Sequence, residues 1–414
     1  MIEAAGISIP TTGFDAASPD VQRDPYPYYH VLLRDDPVHR GAQGIWYVSR
    51  YADVHAVMSD PRFGRAGIRD FWASLVGPGP LSEILRHTLF FQDSPDHERL
   101  RGLLAPAFTP RAVRAMQPMV DRVVDDLLAP VLPRGEMDVV NDFAYPLALT
   151  VIARVLGIPA ADRDRFREWT VGFSPTLDLA ATPAEIERGH AAMGEFVDYL
   201  TALIARRRGA ALDGLLGALL KATDDGARVS LPEVLSVVVT LAFAGHDTVT
   251  SLIGNGLLAL IRHPDQLDTL RRRPDILPSA VAELLRYDSS VQSNSRLLNE
   301  DVELHGYPMR RGEVVVALIG AANRDPAQFE DPDRLDVTRT DVQPMSFGAG
   351  MRFCLGAILA RMEAKAAFGR LIALTGIRLA VPADELVYHR STMFRGVTGM
   401  PVRFTPQARP AVTS

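Results

Sequence analysis

One stretch constrains this 414-residue chain more than any other: residues 231–262, about nine helical turns, carry almost no charge. Ser230-Leu-Pro-Glu233 has the form of a capping box with proline in the first turn, and His263-Pro264 supplies the stop. At 1.5 Å per residue such a helix spans roughly 48 Å. Between Val234 and Ile261 the sole formal charge is Asp247, so the helix must be buried nearly all round or lie in lipid. A polar cluster at its middle, Ala244-Gly-His-Asp-Thr-Val-Thr-Ser251, argues against lipid. A carboxylate in a buried helix is costly unless it is hydrogen-bonded or functional. Gly245 gives up as much as ~1 kcal/mol of helix propensity relative to alanine, which points to something flat lying close to the backbone. The alternative is a threonine hydroxyl bonded to its own i−4 carbonyl and an aspartate satisfied by a neighbouring helix.

Helical spacing of apolar residues recurs over 111–130, 141–156, 161–173, 184–208, 264–272, 277–287 and 355–374. Strand-formers with turn residues occupy 44–48 and 302–316. The class is therefore mainly α with a minor β part. Without a linker or a fixed-period repeat, the expectation is one large domain over 21–404, an N-terminal segment over 1–20 and a flexible tail over 405–414. Residues 57–95, where Pro, Gly and aromatics mix, are expected as loops available for binding. With 44 Lys+Arg against 50 Asp+Glu, the net charge of −6 leaves no basic footprint for nucleic acid. The start of the chain has no basic stretch followed by an apolar run, so the expectation is a cytoplasmic protein without a membrane anchor.

Cys354 is the only cysteine, which excludes an internal disulfide framework and any multi-cysteine metal site. It sits in Phe347-Gly-Ala-Gly-Met-Arg-Phe-Cys-Leu-Gly356, just before the strongly helical run from Ala357. Free N–H groups and the positive end of a helix dipole favour a thiolate there, a good soft ligand for iron. Gly348 and Gly350 permit a tight turn and close approach to a flat ligand, Phe347 and Phe353 shield the sulfur, and Arg352 meets an anionic group. A nucleophilic-cysteine hydrolase is the other chemical reading, with His97, His246 and His305 as candidate bases. Glu283 and Arg286 stand one helical turn apart, weak evidence by itself. His97 and Arg101 share one helical face after Asp93-Ser-Pro-Asp96, and read either as a solvated polar face or as a pair suited to gripping carboxylates.

Together these segments resemble the cytochrome P450 family of haem-thiolate monooxygenases, particularly its soluble bacterial members. The resemblance runs from Asp24-Pro-Tyr26 to Phe394-Arg-Gly396 and implies a helical haem domain with small β-sheets enclosing haem b. It makes Cys354 the axial iron ligand, with Phe347, Gly348, Gly356, Ala244 and Gly245 beside the haem and His97, Arg101, Arg296 and Arg352 on its propionates. Asp247 and Thr248 inherit the proton relay that serves dioxygen; Val249 stands where a second Thr or Ser is common. Glu283 and Arg286 match a structural ion pair, with Arg334, or less favourably Arg339, as third member. The implied substrate pocket comprises Ile68, Phe71, Trp72, Leu75, Leu89, Phe90, Phe173, Phe243, Ala244, Val291, Gln292, Asn294, Met393 and Phe394, mostly apolar with a few hydrogen-bonding groups, as suits a sizeable organic ligand such as a polyketide or macrolide.

By the same resemblance electrons come ultimately from NAD(P)H through a ferredoxin and its reductase, docking near Arg101, Arg111, Arg114, Arg352 and Arg361, and the expected state is a monomer. Insertion of one oxygen atom from O2 is the expected reaction. Ring coupling, desaturation or a haem-binding module without turnover are the alternatives.

Overall fold

The computed structural model describes residues 2–4, 7–9, 14–41, 43–178, 181–206, 214–224 and 229–407. Most of the tail expected at 405–414 thus lies outside the described residues. The chain is mainly helical with small sheets, and it forms two compact units. One comprises residues 1–63, 116–147 and 248–414, the other 64–115 and 148–247.

In the first unit a five-stranded sheet takes the order Val38–Arg40, Trp46–Val48, Val314–Leu318, Ser293–Leu298, Phe63–Gly64. Its centre strand pairs parallel to Trp46–Val48 and antiparallel to Ser293–Leu298, with Val315 opposite Trp46 on one side and Arg296 on the other. Val48, Val54, Val57, Val315 and Ala317, all at 0% exposure, form the core between this sheet and the helix Tyr51–Ser59. The helices Leu277–Tyr287 and Ala357–Leu371 pack together. A Cβ on Gly256 of the long helix would lie 2.5 Å from Phe368 and 3.3 Å from Leu284, so only a glycine lets that helix pass so close to both.

The long helix spans Leu231–Arg262, with the bounds the sequence predicts. Its capping box is present: the Glu233 carboxylate accepts from the Ser230 backbone N–H at 2.7 Å, and the Glu233 N–H donates to Ser230 Oγ at 3.4 Å. Arg99, on the helix Asp96–Leu104, donates to Glu233 at 2.5 Å and anchors this end. At the other end His263 donates its backbone N–H to Ala259 before Pro264 opens the next helix. This helix and Val139–Leu156 are long and apolar enough to cross a membrane, yet 72% and 78% of their apolar windows are buried within the fold. Core packing accounts for both.

The second unit corrects the expectation of loops over 57–95. Helices occupy Ala66–Val76 and Pro80–His87, followed by a 3-10 turn at Leu89–Phe91. Gly77, Pro78, Gly79 and Pro80 punctuate these helices rather than dissolve them: Gly77 has φ 74°, Gly79 φ 144°, and Pro80 opens the second helix. The start of the chain also carries regular structure, a short antiparallel pair of Ile2–Ala4 with Ile7–Ile9 and a helix Pro19–Arg23 capped by Ser18.

Candidate functional site

The cysteine loop is built by two glycines at positive φ. Gly348 (φ 73°) ends one 3-10 turn and Gly350 (φ 65°) begins another. A Cβ at Gly348 would stand 2.9 Å from Met58 Cε, and one at Gly350 would stand 2.8 Å from Ser59 Cα. Both the dihedral and the space therefore demand glycine. The loop closes when the Cys354 N–H donates to Phe347 O at 2.8 Å, and Ala357 N–H donates back to Cys354 O at 3.3 Å as the helix Ala357–Leu371 begins.

Cys354 is exposed, unusual for a residue type most often found inside. Met351, Phe353 and Ile358 around it are 41%, 40% and 40% exposed. Arg361, two helical turns on, stacks its guanidinium 4.3 Å above the Phe347 ring. Burial pulls the Arg361 pKa down, and the charge of the Cys354 sulfur opposes that shift, so cation and sulfur sense each other.

In the long helix Ala244, Gly245, Asp247 and Thr248 are half-buried, whereas Ala242, Phe243, His246, Val249 and Thr250 are buried. Ser174 Oγ donates to Asp247 Oδ2 at 3.3 Å, a partner that sequence reading missed because it lies 73 residues away. His246 holds Ala242 O through Nδ1 at 2.8 Å, and burial lowers its pKa, so it is a neutral imidazole spending its proton within its own helix. Phe173 meets Phe243 edge-on at 5.3 Å. A Cβ at Gly245 would lie 2.5 Å from Ile152 Cγ1, so the side chain of Ile152, on the helix Tyr145–Leu156, already makes a close approach that needs glycine there.

His97 is buried and Arg101 follows one turn later on Asp96–Leu104. Arg296, 2% exposed, lies on the strand Ser293–Leu298 and donates to Asn294 Oδ1 and to Ser295 O, the latter at 3.0 Å. Arg352 belongs to the cysteine loop itself. Glu283 and Arg286 form a fully buried bidentate pair at 2.7 and 2.8 Å. Arg286 also donates to the carbonyls of Asn323, Pro332 and Arg334. The third cation is Arg339, whose Nε lies 3.3 Å from Glu283 Oε1. Arg334 is corrected in that role: its side chain is 65% exposed and reaches only Asp336, at 3.8 Å, while its backbone carbonyl serves Arg286.

Of the residues expected to line a substrate pocket, Ile68, Trp72, Leu89, Phe173 and Phe243 are buried, Phe90, Ala244, Val291, Asn294, Met393 and Phe394 are half-buried, and Phe71 and Leu75 are exposed. Gln292 is corrected as a hydrogen-bonding group for a ligand. Its Oε1 accepts from Tyr29 OH at 3.0 Å and its Nε2 donates to Ser289 O at 2.7 Å, and Gly320 leaves it the space. Val291 bridges to Phe394, and Gln292 N–H donates to Met393 O at 2.8 Å, so these two segments are fastened side by side.

The family profile described as cytochrome P450 matches residues 38–374. The chain belongs to the cytochrome P450 family. It is similar to the crystal structure of CalO2, 54% identical with a TM-score of 0.92 over 95% of this chain and 99% of that one. It is 39% identical to a cytochrome P450 of Saccharopolyspora erythraea, over 90% of this chain and 94% of the relative. To the 6-deoxyerythronolide B hydroxylase of the same organism it is 38% identical, over 89% and 92%. The protein is thus a P450 monooxygenase, a family that uses haem b and dioxygen with electrons ultimately from NAD(P)H. The hydrolase and non-catalytic readings fall with that membership, and His305 is committed elsewhere, with Nε2 2.7 Å from Asp53. The cysteine loop fits haem: a soft donor, exposed, at a helix N-terminus and ringed by apolar side chains.

Proposed function

We propose that Cys354 would hold the haem iron through its sulfur and that this P450 hydroxylates or epoxidises a polyketide- or macrolide-type intermediate, with electrons from a ferredoxin and its reductase. The observation that carries the reading is the lone cysteine, exposed just before the helix Ala357–Leu371, with the Arg361 cation stacked on Phe347 of the same loop. Bound haem supplies dioxygen activation, pushed by the thiolate.

The chain supplies the rest. Backbone N–H groups at the helix start and the Arg361 cation favour the thiolate form of the sulfur, and Phe347 and Phe353, with rings 6.3 Å apart, give the loop an apolar face towards the haem. His97, Arg101, Arg296 and Arg352 take the two propionates in charge-assisted hydrogen bonds. Asp247, oriented by Ser174, exchanges a proton with its half-buried surroundings, and Thr248 holds it one residue on. Ile68, Trp72, Phe173 and Phe243 offer substrate an apolar surface, and Asn294 an amide for orientation. The name of the 6-deoxyerythronolide B hydroxylase supports the macrolide class. Arg101, Arg111, Arg114, Arg352 and Arg361 attract an acidic ferredoxin, and we place the enzyme in the cytoplasm as a monomer.

The test is a titration of the ferric protein with macrolactones, read as a spin-state change, followed by ferredoxin-dependent turnover. A product one oxygen atom heavier is expected; loss of two hydrogens without added oxygen moves the reading to ring coupling or desaturation. Thr248→Ala is expected to keep consuming electrons while releasing hydrogen peroxide in place of product. A fully coupled Thr248→Ala enzyme overturns the relay.

A further inference from the structure

The helices Ala66–Val76 and Pro80–His87 are joined by only three residues, Gly77-Pro-Gly79, and no side chain of that turn caps either helix. Unmet carbonyls at the end of one helix and unmet N–H groups at the start of the next therefore come close together. One side chain from a third helix, Pro183–Arg206, serves both. His190 Nε2 lies 2.8 Å from Val76 O, the last carbonyl of the first helix. The backbone N–H of Leu81, in the first turn of the second, points at His190 Nδ1 at 3.4 Å.

These contacts fix the ring's state. In the neutral ring Nδ1, which faces a donor, accepts from Leu81, and Nε2 donates to Val76. The surroundings are shaped for the ring. A Cβ on Gly79 would stand 2.6 Å from Nδ1, and one on the adjacent Gly189 would stand 2.3 Å from Thr176 Cγ2 and 3.3 Å from Leu81. Glycine on both sides lets the third helix come close enough for the imidazole to reach the turn.

We propose that His190 is a positioning residue for substrate: by capping two helices at once it fixes Ala66–Val76, and with it Ile68 and Trp72. This rests on the reading above that this helix lines the substrate pocket. Phe71 and Leu75, 51% and 40% exposed on the same helix, add little by burial; Asp93 holds the start of the helix, accepting from the Arg65 and Ala66 N–H groups at 2.9 and 3.0 Å, and the hold on its other end falls on Trp72, Val76 and the His190 contacts.

The experiment uses the haem-loaded enzyme and two readouts, amide hydrogen exchange over 66–87 and the rates at which clotrimazole, a bulky azole, and imidazole, a small one, bind haem. His190→Leu removes both caps and is expected to accelerate exchange by about tenfold, with His190→Gln, which can donate and accept, restoring it to within about threefold. In the Leu variant clotrimazole rates change by roughly fivefold or more while imidazole rates and the reduced carbon-monoxide spectrum stay as in the parent. If the Leu variant does not accumulate, His190→Lys keeps a donor for Val76 and loses the acceptor for Leu81, so faster exchange is expected at the start of Pro80–His87 alone. Unchanged exchange in either variant overturns the double cap. Faster exchange with unchanged clotrimazole rates leaves the double cap standing and overturns the role towards substrate, together with the pocket-lining reading of this helix.

Discussion

Two glutamates on two packed helices of the same unit are buried to nearly the same degree and have opposite fates. Glu283, on Leu277–Tyr287, is 0% exposed and meets both nitrogens of the Arg286 fork, the Arg339 cation and the backbone N–H of Asp336. Glu363, on Ala357–Leu371, is 2% exposed, and its Oε2 has no hydrogen-bond partner among the described residues. Burial alone acts on it and raises its pKa well above the ordinary carboxylate range. A carboxylate taken out of water stays charged only where the fold surrounds it with cations and N–H groups; otherwise it keeps its proton. The first arrangement ties Leu277–Tyr287 to the strand-free run 323–339 and works as a structural clasp. The second is a neutral acid within two and a half turns of the cysteine loop.

Breaking the clasp is expected to have the largest effect. Arg286→Ala leaves a buried carboxylate without its main partner, a loss of about 3–5 kcal/mol, checked by denaturant unfolding and by haem retention. Parent-like stability would show that the two glutamates are less different than their surroundings indicate.

Glu363 sharpens the contrast through pH. Above the ordinary glutamate range the unfolded chain has released this proton and the native protein has not, so the native state binds more protons and its stability falls as pH rises. The slope is at most about 1.4 kcal/mol per pH unit until the buried group itself ionises, so as much as roughly 2.8 kcal/mol over two units. Glu363→Gln keeps the shape without the proton. Unfolding midpoints at pH 6 and pH 8 should show the advantage of the Gln variant over the parent growing from the lower pH to the higher. Equal pH dependence in both proteins would mean that Glu363 is ionised.

The smallest effect separates two arginines. Arg339→Ala removes a cation from the buried glutamate and is expected to cost about 1–2 kcal/mol, whereas Arg334→Ala removes an exposed side chain and should stay within about 0.5 kcal/mol. Thermal unfolding of the two variants side by side decides it; the reverse order would restore Arg334 to the clasp.

That last pair also marks where sequence reading ends. Arg334 and Arg339 stand five residues apart in one irregular run, and nothing local tells which side chain turns inward. The long helix was legible to the residue because its start and stop are chemical events, a capping box and a His-Pro step. The cysteine loop was legible because glycine spacing and a helix start are both local. The helices Ala66–Val76 and Pro80–His87 were not, since the same Gly-Pro-Gly-Pro cluster serves a loop or two helix ends, and contacts that tie the two ends together come from His190, more than a hundred residues on. The commitments of Gln292 to Tyr29, of Gly245 to Ile152 and of Asp247 to Ser174 likewise depend on partners far off in the chain.

The contact of Gly348 and Gly350 with Met58 and Ser59 bears on how such enzymes diverge and on how they are recombined. Four positions, nearly three hundred residues apart in sequence, occupy one shared volume. A side chain gained on the loop would meet both a dihedral that favours glycine and the end of Tyr51–Ser59, so the two glycines and that helix end are kept as a pair. A chimera that grafts a foreign cysteine loop without its matching helix end would bring two well-formed halves into collision, and the successful exchange is the one that carries both.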